Sequence, residues 1–331
     1  MKKIFSIILA IAAASAALQA APKGKVSVKV ASYGLYNSFW RGTDAKAGKT
    51  SPQRMWCNCA EALAEQIEAL QCDIIGIQDV CDSIAGRRRG CTSLLDILKA
   101  RGGNYEWFVP SNKNPNYPLE GAMANGAGII WNSDRFELVD WGVQWLGGIY
   151  DKPGRDRSLL YGSGTPDIAW VRLKEKASGK ELFFSSAVVN GATQKDKGGK
   201  SVKYHEINTA NCRNIISAML EIVPKGIPSA ITLNSSNAAA SEGFKALTSA
   251  RWFDVYGRLG EEGGLDEAEV KEINTMCSPD EKRLQGGRPD HILSDGFSIE
   301  GYRTVRAKFR TADGTLHYPS IHFPIVADLE F

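Results

Sequence analysis

Cysteine and histidine open the chemical reading of this sequence. The seven cysteines are Cys57, Cys59, Cys72, Cys81, Cys91, Cys212 and Cys277, and the first five crowd between 57 and 91. In an oxidising compartment such crowding suits one or two disulfides, with the odd count leaving at least one thiol over. Pairing cannot be read from spacing alone. Zinc is the rival use, but Cys57-x-Cys59 lacks the usual two-residue gap and has no histidine nearby. The four histidines, His205, His291, His317 and His322, are scattered through the second half. A lone histidine in a strand or loop is ordinarily a hydrogen-bonded or surface side chain.

The N-terminus bears on the redox question. Lys2 and Lys3 precede an apolar run from Ile4 to Leu18, and small residues follow from Ala16 to Ala21. That order is a secretory leader, so residues 1–20 are read as a signal peptide and 21–331 as one domain. As an uncleaved anchor the run is shorter than the ~20 residues a bilayer core needs. No membrane span is therefore expected after cleavage. The destination is export, to a periplasm or the medium, which would permit disulfides. Loss of Lys2 and Lys3 takes the formal charge from +3 to +1. A near-neutral chain makes no strong case for nucleic acid as a partner. Arg87, Arg88 and Arg89, and the lysines at 195, 197, 200 and 203, are local basic runs of the kind that solvated loops carry. No other partner is indicated.

The elements that must position any site alternate along the chain. Val26 to Tyr33 alternates valine with small or polar residues and predicts a strand. Residues 53–70 place Met55, Leu63, Ile67 and Leu70 at helical spacing, opposite Glu61, Glu65 and Glu68. Ile74, Ile75 and Ile77 make a short buried strand. A helix over 92–101 and strands at 105–109, 128–131, 136–143, 168–173 and 182–189 follow. Then come a helix over 208–222, a strand at 229–233 and a helix over 241–247. Residues 260–275 read as an acidic surface excursion, and strands at 290–293, 302–309 and 324–328 close the chain. The expected architecture is α/β, with two sheets face to face and helices outside.

The order of segments carries a further signal. VKVASYGLYN is followed by RMWCNCAEALAEQIEAL with QCDIIGIQDV, then GAGIIWNSDRFELVDWGVQWL and SGKELFFSSAVVN. Next come IPSAITLNSSNAAASEGFKAL, GRPDHILSDGF with SIEGYRTV, and YPSIHFPIVADL. Over nearly all of 26–331 this series resembles the endonuclease/exonuclease/phosphatase superfamily, in particular its exported bacterial members. The resemblance implies a four-layered α-β-β-α sandwich with its site at one end of the paired sheets. It also implies a metal-dependent phosphoesterase, in which carboxylate-held Mg²⁺ takes a phosphate oxygen and an aspartate activates water.

At the family's site positions this sequence departs from that pattern. Where an asparagine is implied near the metal, Ser32-Tyr33 is followed by Gly34. Ile77-Gln78-Asp79-Val80 puts the shorter Asp79 where a metal-ligand glutamate is implied, about 1.5 Å short of its reach. Val188 stands for a phosphate-holding histidine. Leu233-Asn234-Ser235-Ser236 puts Asn234 for the catalytic aspartate and Ser236 for a phosphate-binding asparagine. Ser320-Ile321-His322 keeps the histidine and has Ile321 for the aspartate implied to orient it. Asp290 survives, in a role the resemblance makes partly structural. The catalytic positions are thus His322, Asn234, Val188 and Ile321, the substrate-binding ones Gly34, Ser236 and Asp290, and Asp79 is a weak metal ligand.

An amide cannot take a proton from water near pH 7, and the losses act on one unit. The expectation is an exported protein on this scaffold that is catalytically impaired and uses the cleft for binding, with no cofactor. The alternative is a Mg²⁺-dependent phosphoesterase with a rebuilt site, drawing on His205, His291, His317, Asp290 or Glu120.

Overall fold

The computed structural model describes residues 24–35, 56–81, 84–86, 90–110, 126–145, 167–189, 194–195, 201–202, 204–235, 241–278, 281–284 and 287–331. In chain order the first half runs β1 (Ser27–Gly34), α1 (Trp56–Leu70), β2 (Ile74–Val80), α2 (Leu94–Ala100), β3 (Tyr105–Phe108), β4 (Gly126–Asn132), β5 (Phe136–Trp145), β6 (Asp167–Glu175), β7 (Glu181–Val189), β8 (Gln194–Lys195) and β9 (Ser201–Val202). The second half runs α3 (Tyr204–Ile222), β10 (Ser229–Ser235), α4 (Glu242–Leu247), β11 (Phe253–Asp254), α5 (Val255–Glu262), α6 (Glu267–Lys271), β12 (Asp290–Asp295), β13 (Ser298–Thr304), β14 (Phe309–Arg310), β15 (Leu316–His317) and β16 (Ile325–Glu330).

Two six-stranded sheets result, ordered β13-β16-β1-β2-β4-β3 and β11-β12-β10-β7-β6-β5. Their inner faces share one apolar core that includes Val28, Val30, Ile74, Trp131, Phe184, Val188 and Ile292. α1 covers the outside of the first sheet because Trp56, Cys59, Leu63, Ile67 and Leu70 fall on one stripe. α3 covers the second sheet in the same way with Cys212, Ile215, Met219 and Val223. The order is helix, sheet, sheet, helix, the four-layered sandwich expected from the sequence.

The two sheets approach closely where their side chains are small or polar. A Cβ at Gly76 would lie 1.7 Å from Thr232 Oγ1, so only glycine fits there. Nearby, buried Gln78 donates from Nε2 to Ser186 Oγ at 3.0 Å, and Ser186 Oγ donates to the Ile77 carbonyl at 3.0 Å. These cross-sheet bonds hold the ends of β2 and β7 in register, close to where the candidate site lies.

One expectation is not shown and another needs correction. The expected disulfide is not seen among the described residues. Cys59, Cys72 and Cys81 pack instead as small apolar side chains against α1 and the first sheet. Burial pushes the Cys72 thiol up to about 12. The side chain of Cys57 lies outside the described residues. Residues 260–275 are not merely a surface excursion either. They include α6, whose buried Glu269 accepts from Thr304 N at 2.8 Å and Thr304 Oγ1 at 2.7 Å. Residues 1–20 lie outside the described residues, as do Arg87, Arg88 and Arg89 and the side chains of the second basic run.

Candidate functional site

Strand register fixes the site before any side chain is considered. β1 and β2 run parallel with Gly34 opposite Gln78, which leaves Asp79 just beyond the last paired residue of β1. β7 and β10 run parallel with Val188 opposite Asn234, and antiparallel β12 brings Asp290 opposite Asn234. The chain then returns through Ser320, Ile321 and His322 into β16, which pairs with β1. Gly34, Asp79, Val188, Asn234, Asp290 and His322 therefore gather at one end of the paired sheets. Ser236 and Glu120 lie outside the described residues.

The histidine is fully oriented. His322 Nδ1 lies 3.0 Å from Asp290 Oδ2 and 3.1 Å from Oδ1. Asp290 Oδ2 also accepts from Thr275 Oγ1 at 2.6 Å. The carboxylate that sets the imidazole is thus Asp290, at the start of β12, and the aspartate expected for that role at 321 is not needed. Ile321 is buried against Cys277 and Phe323 in a small apolar cluster. Burial acts against the charged imidazole, but the Asp290 carboxylate, its hydrogen bond and the charge of Asp79 outweigh it and raise the pKa of His322.

On its other side His322 has moved into space that a side chain would fill. A Cβ on Gly34 would meet His322 Cγ at 2.8 Å and Asn234 Nδ2 at 3.1 Å. The ring and the amide close over Gly34, with His322 Nε2 and Asn234 Nδ2 3.4 Å apart. Ser320 Oγ donates to the Gly34 carbonyl at 2.7 Å and fixes the same corner.

Asp79 completes the group. Its backbone is left-handed, φ +59°, where the pairing of β2 with β4 shifts register between Ile77 and Val80. A non-glycine residue in that region is uncommon and costs energy. Burial pushes its carboxyl up to about 6, with His322 pulling it down and Asp290 adding to the rise.

Magnesium demands near-octahedral oxygen ligation and carboxylates to supply it. Among the described residues Asp79 is the one uncommitted carboxylate here, position 34 has no side chain, and Val188 is buried in the apolar core. Asp290 is held by His322 and Thr275. Among the described residues no three His, Cys, Asp or Glu side chains gather as a metal site would require. The donors present do not fit the ion.

The remaining histidines do not join the site. His291 follows Asp290 on β12 and so points to the opposite face, where its Nδ1 lies 3.4 Å from Asp254 and its ring packs on Phe244 at 4.8 Å. Arg288 forks onto the same Asp254 at 2.7 and 3.2 Å. His317 Nδ1 lies 3.2 Å from Glu281. The side chain of His205 is outside the described residues. Sequence reasoning missed the partnership of Asp290 with His322 and the Asp254–Arg288–His291 cluster. Strand alternation across Asp290-His291 was the available signal for their opposite roles.

No family model matches the sequence, and no curated protein matches it either. Solved structures do. An endonuclease/exonuclease/phosphatase family protein from Bacteroides thetaiotaomicron superposes with a TM-score of 0.64 at 19% identity, covering 93% of this chain and 99% of its own. A mannosyl-6-phosphatase from the same organism gives 0.62 at 20%, covering 92% and 100%. The human Nocturnin catalytic domain gives 0.60 at 15%, covering 92% and 96%. From its first described strand to its last, the chain has the fold of the endonuclease/exonuclease/phosphatase proteins.

Proposed function

We propose that this is an exported member of the endonuclease/exonuclease/phosphatase superfamily whose former catalytic end is a binding cleft rather than a hydrolytic centre. One observation carries the reading: the His322 ring and the Asn234 amide close over Gly34, on the side where metal-binding groups would have to enter. The site was repacked, not merely stripped. Asn234 supplies no base, and Asp290, the carboxylate near Asp79 among the described residues, is engaged with His322 and Thr275. Yet Asp79 persists in a left-handed backbone with a desolvated carboxyl, costs that point to a retained role in binding. The leader-like residues 1–20 support export.

A phosphoesterase with a rebuilt site is the second reading, and the intact Asp290–His322 pair favours it. Calorimetric titration of the mature chain with Mg²⁺ and Mn²⁺ separates the two, together with assays on plasmid DNA, a phosphodiester and a phosphomonoester. The binding reading expects no saturable metal uptake and no turnover above buffer. Chelator-sensitive turnover that disappears in Asp79→Ala would establish the second.

A further inference from the structure

The polar groups of the cleft are unequally satisfied, and the inequality indicates what kind of ligand they suit. His322 spends Nδ1 on Asp290 and directs Nε2 at the Asn234 amide. That contact can bond in two ways. The amide nitrogen donates to a neutral ring, or the amide turned over accepts from a charged one. Either way the ring has both nitrogens occupied, while the Asn234 amide keeps at least one N–H. Gln78, next to Asp79, is likewise engaged with Ser186 and Ser32.

Asp79 is the exception. Among the described residues no hydrogen-bond donor reaches its carboxylate, although the side chain is half-buried and lies close enough to His322 and Asp290 to feel both charges. An enclosed carboxylate without a donor is costly, and a ligand that brings one relieves the cost. The charge count runs the same way. Among the described residues Asp79 and Asp290 face a single imidazole, so with both carboxylates ionised the three groups are net negative whether or not His322 is protonated. A phosphate entering the cleft would meet a carboxylate of its own sign.

We propose that the cleft takes its ligand through a hydrogen-bond donor placed on Asp79, the hydroxyl of an uncharged molecule or the ammonium of a cationic one, and discriminates against phosphate esters. The proposal rests on the reading of the cleft as a binding site and specifies its ligand class. Group charge, not scaffold, is the variable to test, so the probes share one ring: glucosamine, glucose and glucose 6-phosphate, with putrescine as a second cation and inorganic phosphate as a second anion. Calorimetry on the mature chain is expected to show glucosamine or glucose binding about tenfold or more tighter than glucose 6-phosphate, the scale of one hydrogen bond to a charged group. Glucosamine and putrescine above glucose identifies the cation; glucose at or above glucosamine identifies the hydroxyl.

Asp79→Asn should weaken the preferred probe by a similar factor while its melting curve stays cooperative. If that variant does not fold, Asp79→Glu, which keeps the charge on a longer arm, should retain the preference for non-anionic probes. Equal or tighter binding of glucose 6-phosphate or phosphate overturns the ligand class and leaves the binding reading intact. So does wild-type affinity in Asp79→Asn, or no binding by any probe. Only metal-dependent hydrolysis would overturn the underlying reading itself.

Discussion

Ser320 Oγ donates to the carbonyl of Gly34 at 2.7 Å and accepts from the backbone N–H of His322 at 3.2 Å. One hydroxyl therefore ties the end of β1 to the segment entering β16 and sets the imidazole down on a residue without a side chain. The arrangement works only with glycine at 34, since a Cβ would lie 2.8 Å from His322 Cγ. Gly34→Ala should cost about 1–3 kcal/mol through overpacking. Gly24→Ala serves as the control, because nothing lies within 4 Å of a Cβ there. Urea unfolding of the two variants checks this. A Gly34→Ala protein as stable as wild type would mean the ring does not rest there.

Asp79 makes a pH-dependent prediction. Its carboxyl is pushed up to about 6 from 3.8, so the folded state holds its proton more tightly than the unfolded state does. The contribution to stability is thus fully present below about pH 4 and is lost as pH rises through 6. At pH 7 to 8 the ionised side chain costs up to about 3 kcal/mol. Asp79→Asn should raise the melting temperature at pH 7.5, and the part of the gain due to charge should vanish by pH 4. Asparagine also tolerates the left-handed backbone, which adds an increment independent of pH. Melting curves of both proteins across that range give the two parts separately.

The fold was legible because each strand carried its own periodicity and the segments came in a known order. Val28 and Val30 on one face of β1, and Leu63, Ile67 and Leu70 on one stripe of α1, bury where their spacing says. That Gly34, Asp79, Val188, Asn234, Asp290 and His322 gather at one end of the sheets was legible too, since strand ends are fixed by strand positions. Partnership was not. That Asp290 orients His322 depends on β12 and the segment before β16 meeting across 32 residues of sequence, and no local pattern encodes it. The seating of His322 on Gly34 was hidden for the same reason: a missing side chain reads as a loss in sequence and as a filled space in three dimensions. Crowding of cysteines along the chain says nothing of direction, and Cys59, Cys72 and Cys81 each lie in the core under α1.

Asp254 sets the acid limit of the fold. Burial would raise its carboxyl, but the Arg288 guanidinium and the His291 ring hold it well below the usual carboxylate range. Burial keeps His291 neutral by lowering its pKa. Both groups bind protons more readily when unfolded. Stability is therefore present at neutral pH, begins to fall as pH drops below about 6.5 through His291, and falls further below about 4 through Asp254. Asp254→Ala should cost about 3–5 kcal/mol, because it also leaves Arg288 buried without its carboxylate. Removing both in Asp254→Ala/Arg288→Met should recover part of that loss. Denaturant midpoints at pH 7 check both claims, and a double variant less stable than the single one would contradict the pairing.

Reinstatement of single residues should not bring back hydrolysis. Asn234→Asp places a carboxylate at the end of β10, but the His322 ring would still sit over Gly34 and Val188 would still offer nothing to a phosphate. The expected result is no turnover above buffer with Mg²⁺ on either a phosphodiester or a phosphomonoester. Nor is the missing carboxylate at 321 simply replaceable. Ile321 is 4% exposed and packed against Cys277 and Phe323, so Ile321→Asp buries a charge in an apolar cluster and should cost on the order of 3 kcal/mol or more. Gly34→Asn would have to displace His322 from Asn234. Unlike these, Val188→His adds a donor near the strand end, though in the apolar core between the sheets, and it too should cost stability. Stability and chelator-sensitive turnover of each variant, measured side by side, test the claim that the site was repacked around its losses. Should Asn234→Asp alone hydrolyse a phosphodiester with Mg²⁺, the proposed binding reading of the cleft would be overturned.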